Sequence, residues 1–101
     1  MGKVLITGIF LLTMTFFQVA YSAETPPAAR ACFACHGVNG ISPNNLWPNL
    51  AGQKKEYLVK QLHDFRSGYR KNPIMEPFVK ILTDKDIEEV AQYFSEMKAT
   101  Q

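Results

Sequence analysis

Cys32-Phe33-Ala34-Cys35-His36 sets two thiols and an imidazole within five residues of each other. Two cysteines three positions apart on a helix share a face. Both thiols can then reach the vinyl groups along one porphyrin edge and form thioethers, while His36 swings beneath the ring to ligate its iron. Other chemistries also use paired cysteines. A thioredoxin-like redox motif wants a βαβ pattern around it, which this sequence lacks. A zinc site wants four ligands, and beyond these three the chain offers only His63 and carboxylates. A structural disulfide suits an exported protein, but so short a loop is strained and leaves His36 without a role. Covalent heme attachment uses all three residues.

Iron held by His36 has a second axial position, for which Met75, Met97 and His63 are the candidates. Met75 lies in a Pro-bearing loop before a short helical segment, where backbone geometry can turn a thioether inward. Met97 falls near the frayed end of the last helix and reads as core edge or surface. His63 lies off the apolar stripe of its own helix and reads as solvated. Met75 is the favoured ligand, and a neutral thioether stabilises ferrous over ferric iron and so raises the potential.

The elements that must position these residues fit in one domain, since 101 residues allow no more. Residues 1–22 read as a cleaved signal peptide. Lys3 supplies the positive start, Val4 to Phe17 is mostly apolar, and Ala20-Tyr21-Ser22 offers small residues where a signal peptidase inspects them, with cleavage after Ser22 or Ala23. An uncleaved anchor is disfavoured, because the run falls short of roughly 18 apolar residues and contains Thr7, Thr13 and Thr15. The remaining domain, residues 23–101, is about 80 residues, a size at which an apolar core yields only a few kcal/mol unless something staples it. A buried porphyrin with two covalent bonds is such a staple.

Within that domain Pro27 suits a first helical turn, and Ala28 to Cys35 continues as one helix that Gly37 stops. Gly37 to Gly52 has no periodicity, and wrapping a cofactor is a sufficient reason for a loop of that length. Its apolar residues Ile41, Leu46, Trp47 and Leu50 are expected to face the porphyrin. A second helix spans about Gln53 to Ser67, with Tyr57, Leu58, Leu62 and Phe65 as its stripe and Gly68 at its end. Asn72 and Pro73 mark a turn, and Pro77 to Leu82 adds a short helical turn. The last helix has Thr83 as cap, Asp86 at the capping-box position, and Ile87, Val90, Ala91 and Phe94 as its buried stripe. No strand signal accompanies these helices, so the fold class is all-α.

Charge excludes one class. Without Lys3 the eleven basic side chains become ten against nine acidic ones, and two heme propionates tip the balance slightly acidic. That is no basic excess for nucleic acid. Lys54, Lys55, Lys60, Arg66, Arg70 and Lys71 lie mid-chain while Asp84, Asp86, Glu88, Glu89 and Glu96 lie late. Such a split could steer docking, although a solvated surface is the ordinary reading.

Taken together, Cys32-Phe33-Ala34-Cys35-His36-Gly37, Asn39-Gly40, Pro48-Asn49-Leu50-Ala51-Gly52-Gln53, Phe65-Arg66-Ser67-Gly68, Arg70, Asn72, Met75 and Ala91-Gln92-Tyr93-Phe94-Ser95 resemble the class I bacterial cytochromes c. The chain is similar to the small monohaem periplasmic kind and to either half of the tandem dihaem kind. The resemblance spans essentially all of residues 23–101. It implies a fold in which the first and last helices cross, one covalent heme c, and His36 and Met75 as axial ligands. It also implies that the Pro48 carbonyl accepts the Nδ1 hydrogen of His36, and that Arg70 and Asn72 lie near the propionates and the methionine loop. A second C-x-x-C-H is absent, so one heme is expected. The function implied is a periplasmic one-electron carrier that serves redox partner proteins and catalyses nothing alone, with no stable membrane insertion after signal cleavage. A cytochrome subunit within a larger oxidoreductase, and a heme enzyme or gas sensor with an open sixth site, are the alternatives.

Overall fold

Thr83 caps the last helix, which carries the longest buried stripe. Its hydroxyl accepts the Asp86 N–H at 3.1 Å, and the Asp86 carboxylate accepts the Thr83 N–H at 2.8 Å. This reciprocal pair satisfies two donors that a helix start otherwise leaves open. In the computed structural model, which describes residues 1–20 and 24–100, five helices follow in order. They are α1 (Pro27–Arg30), α2 (Phe33–His36), α3 (Lys55–Ser67), α4 (Glu76–Val79) and α5 (Asp84–Ser95). The described residues contain no strand, and the all-α expectation holds.

The α5 stripe is buried as its 3.6-residue period requires, with Ile87, Ala91 and Phe94 at 0 % exposure and Val90 at 3 %. α5 packs on both α3 and α1, and α3 also packs on α4. Ala29 from α1 and Leu58 from α3 complete the central cluster, with Phe33, Leu50, Leu62 and Met97 at its edge. Phe94 meets Tyr93 at 5.4 Å and 77°, and Phe33 at 6.3 Å and 83°. These are the edge-to-face geometries that ring quadrupoles favour.

Four expectations change. The first helix is two single-turn pieces, because at Cys32 the N–H turns to the Ala29 carbonyl, an i to i−3 bond, before the i−4 pattern resumes with His36 on Cys32. The second helix starts at Lys55 rather than Gln53, since the Gln53 side chain accepts the Lys54 N–H and Lys54 stays extended with ψ of 128°. Tyr57 is 48 % exposed, off the stripe that buries Leu58 and Phe65. It stands one position before Leu58, on the face shared with Gln61 and Asp64. The short helix expected within 77–82 is α4, shifted to begin at Glu76.

Residues 1–20 are exposed and carry no regular secondary structure. No helix among the described residues is long and apolar enough to cross a membrane. The expected cleavage positions Ser22 and Ala23 lie outside the described residues.

Phe94→Ala should lower holoprotein stability by about 3–5 kcal/mol, and Thr83→Ala by about 1 kcal/mol. Guanidinium unfolding followed by far-UV circular dichroism checks both, and equal losses would contradict the primacy of the Phe94 contacts.

Candidate heme-attachment site

Cys32 caps α2 and Cys35 lies within it, so the i to i−3 bond before the motif leaves both thiols on one helical turn. Both are free and half-buried, with the Cys32 Sγ 3.9 Å from the Ala28 carbonyl. Burial first, and the neighbouring Cys35 second, push the Cys32 thiol up to about 11. Among the described residues no three His, Cys, Asp or Glu converge as a chelating cluster, so the zinc alternative lacks a ligand set.

His36 is buried, at 6 % exposure, and its Nδ1 lies 2.8 Å from the Pro48 carbonyl. A carbonyl oxygen only accepts, so Nδ1 carries the proton, and in the neutral ring Nε2 then holds the lone pair. That is the state a metal-ligating imidazole needs, with its ring orientation held by a neighbouring acceptor. Gly37 follows at φ +86°, and a Cβ there would stand 2.0 Å from the Ile41 carbonyl oxygen. Only glycine allows the chain to turn this closely out of α2.

The loop from Gly37 to Gly52 has its own bonding. The Ser42 hydroxyl lies 3.0 Å from the Cys35 carbonyl and 2.9 Å from that of Asn44, and the Asn49 side chain accepts the Ser42 N–H at 2.7 Å. The Gly40 carbonyl accepts the N–H groups of Leu50 and Ala51. Together these bonds set where Pro48, and so its carbonyl, can stand. Ser42 and Asn49 were missed as site-building residues. Ser and Asn as habitual side-chain-to-backbone bonders were the available signal. Of the loop's apolar residues, Ile41, Trp47 and Leu50 are half-buried, whereas Leu46 is exposed.

Met75 is half-buried at the cap of α4. The Asn72 side-chain oxygen accepts the N–H groups of Ile74 at 2.9 Å and Met75 at 3.1 Å, fixing the turn that presents the thioether. Arg70 spreads over the Phe65 ring at 4.4 Å and donates to Gln61 at 2.8 Å. His63 is held by Arg66 on α3, and Met97 packs at the core edge.

Two thiols on one turn, an imidazole with Nε2 free to bind, and a thioether in an Asn-braced turn fit a heme attached through Cys32 and Cys35. This is an all-α protein built around a heme-attachment motif. Residues 27–98 match the Cytochrome c family profile, and the chain belongs to that family, whose cofactor is a covalently bound heme c. It is 38 % identical over 102 residues to cytochrome c4 of Pseudomonas aeruginosa, covering 97 % of this chain and 50 % of that protein. It is 45 % identical over 74 residues to a thiosulfate dehydrogenase electron acceptor of Stutzerimonas stutzeri, covering 72 % of this chain and 34 % of that one. The solved cytochrome c4 of Acidithiobacillus ferrooxidans superposes with a TM-score of 0.64 at 37 % identity, over 66 % of this chain and 38 % of that one. This chain thus spans half or less of the length of these relatives.

Asn72→Ala should cost about 1 kcal/mol in holoprotein stability and weaken the ferric thioether-to-iron absorption band. Asn72→Asp keeps the acceptor oxygen and should retain the band.

Proposed function

We propose that this chain is a periplasmic one-electron carrier with Cys32 and Cys35 as thioether anchors of one heme c, and His36 and Met75 as its axial ligands. When bound, the heme supplies one-electron exchange between ferric and ferrous iron. The observation that carries the reading is the His36 Nδ1 contact with the Pro48 carbonyl at 2.8 Å, which aims the Nε2 lone pair and fixes the tautomer. Pro48 cannot slide away, because the loop's bonds through Gly40, Ser42 and Asn49 hold it. On the other side Asn72 braces the backbone of Met75. A thioether held this way would occupy the iron position opposite His36 when the heme is bound, which supports electron transfer over substrate or gas binding. Arg70, whose guanidinium lies over the Phe65 ring, would hold a heme propionate. The likeness to a thiosulfate dehydrogenase electron acceptor supports a redox enzyme as the source of the electron.

With only Phe94, Ile87 and Val79 as large fully buried side chains among the described residues, the core depends on the heme as a staple, and the heme-free protein should be largely unfolded. A Cys32→Ala, Cys35→Ala variant made without heme should show little helix by far-UV circular dichroism, and a native-like spectrum would refute this.

A pyridine hemochrome assay on protein from a maturation-competent host should give one c-type heme per chain. Met75→Ala should abolish the ferric thioether-to-iron band and open the reduced protein to carbon monoxide. An unchanged spectrum would remove Met75 as ligand.

A further inference from the structure

Arg66 stands on the last turn of α3 and reaches across to the chain between α4 and α5. Its Nη1 donates to the Leu82 carbonyl at 2.9 Å, and its Nη2 donates to Asp84 at 2.5 Å. The same Nη2 lies 3.0 Å from His63 Nδ1. A guanidinium never accepts, so His63 Nδ1 is the unprotonated nitrogen and receives the bond. Three acceptors from three places therefore converge on one planar fork, a geometry that lysine cannot reproduce. The side chain is only 28 % exposed.

The segment so gripped is the one that carries Met75. It leaves α3 with the Arg70 N–H on the Asp64 carbonyl at 3.0 Å, and it enters α5 just after the Leu82 carbonyl that Arg66 holds. Both ends of the excursion are thus fastened to the same two turns of α3. Between them Val79, at 1 % exposure, is the fully buried side chain of α4. The α3–α5 packing is carried elsewhere, by Leu58, Val90, Ala91 and Phe94. Removing the guanidinium should therefore loosen the segment without dissolving the core.

We propose that Arg66, gripping Leu82, Asp84 and His63, is a positioning residue that holds the Met75 segment closed against displacement of its thioether from the iron. Its side-chain hydrogen bonds go to Leu82, Asp84 and His63, so it acts on Met75 through the length of chain it fastens. The inference rests on Met75 being an axial ligand.

The test is titration of the ferric holoprotein with imidazole, an external ligand that must displace the thioether to bind. Arg66→Met keeps the aliphatic stem and removes the fork, and it should bind imidazole about tenfold more tightly than the parent. Arg66→Lys, which keeps the charge without the fork, should fall between the two, and it supplies the reading if Arg66→Met does not accumulate. Val90→Ala destabilises the core away from the clamp and should leave imidazole affinity unchanged. Parental affinity in the Arg66 variants, or an equal rise in Val90→Ala, overturns the proposal. Met75→Ala separates the two readings. If it changes the spectrum while the Arg66 variants bind imidazole as the parent does, only the Arg66 inference fails. If it leaves the spectrum unchanged, the ligand assignment fails with it.

Discussion

Phe94 is where the core and the site meet. Its ring stands edge-on to Phe33, the residue between the two cysteines, and its carbonyl accepts the Gly52 N–H that ends the long loop. One fully buried residue of α5 thus constrains both the motif helix and the far end of the loop whose Pro48 carbonyl holds His36. Few other large side chains share this duty, since Ile87 and Val79 are the other two large side chains that are fully buried among the described residues. In a chain this short, so small a core leaves most of the positioning to hydrogen bonds at element ends.

Those bonds work in pairs about the site. On the His36 side the loop folds on itself through Gly40, Ser42 and Asn49, so it needs no regular structure to be ordered. On the Met75 side Asn72 braces the turn from within, while Arg66 and the Asp64 carbonyl hold the segment ends to α3. The surface charges add less. Lys60–Asp64, Glu76–Lys80 and Lys85–Glu89 are i, i+4 pairs on helix faces, where solvent screening leaves each a minor contribution. The carboxyls of Glu76 and Asp84 lie below their ordinary values because of hydrogen bonds from Lys80 and Arg66.

The legible parts were those coded within a turn or two of chain. The Thr83 and Asp86 cap, the Ile87 to Phe94 stripe, the Gly37 and Gly68 stops and the Asn72-Pro73 turn all depend on neighbours close in sequence. The break at Ala31–Cys32 was not legible, because every residue there accepts helical dihedrals and only a shift of one hydrogen bond divides α1 from α2. Tyr57 was misplaced because a tyrosine suits either face, and which neighbours it met was fixed by how α3 turned toward α5.

The amino-acid order alone revealed the chemistry at residues 32–36, since thiols and an imidazole at fixed spacing on one turn need no distant partner to be recognised. It also marked the helix ends at Thr83, Gly37 and Gly68, because caps and glycines act on the backbone beside them. The Pro48 carbonyl on His36 was anticipated through the family resemblance. Bonds between groups sixteen or more residues apart, in contrast, came from the packed fold, which turned Arg66 from a surface residue into a grip on Leu82 and Asp84. The reason is that such pairings depend on the approach of whole elements, which core packing sets and no local pattern encodes.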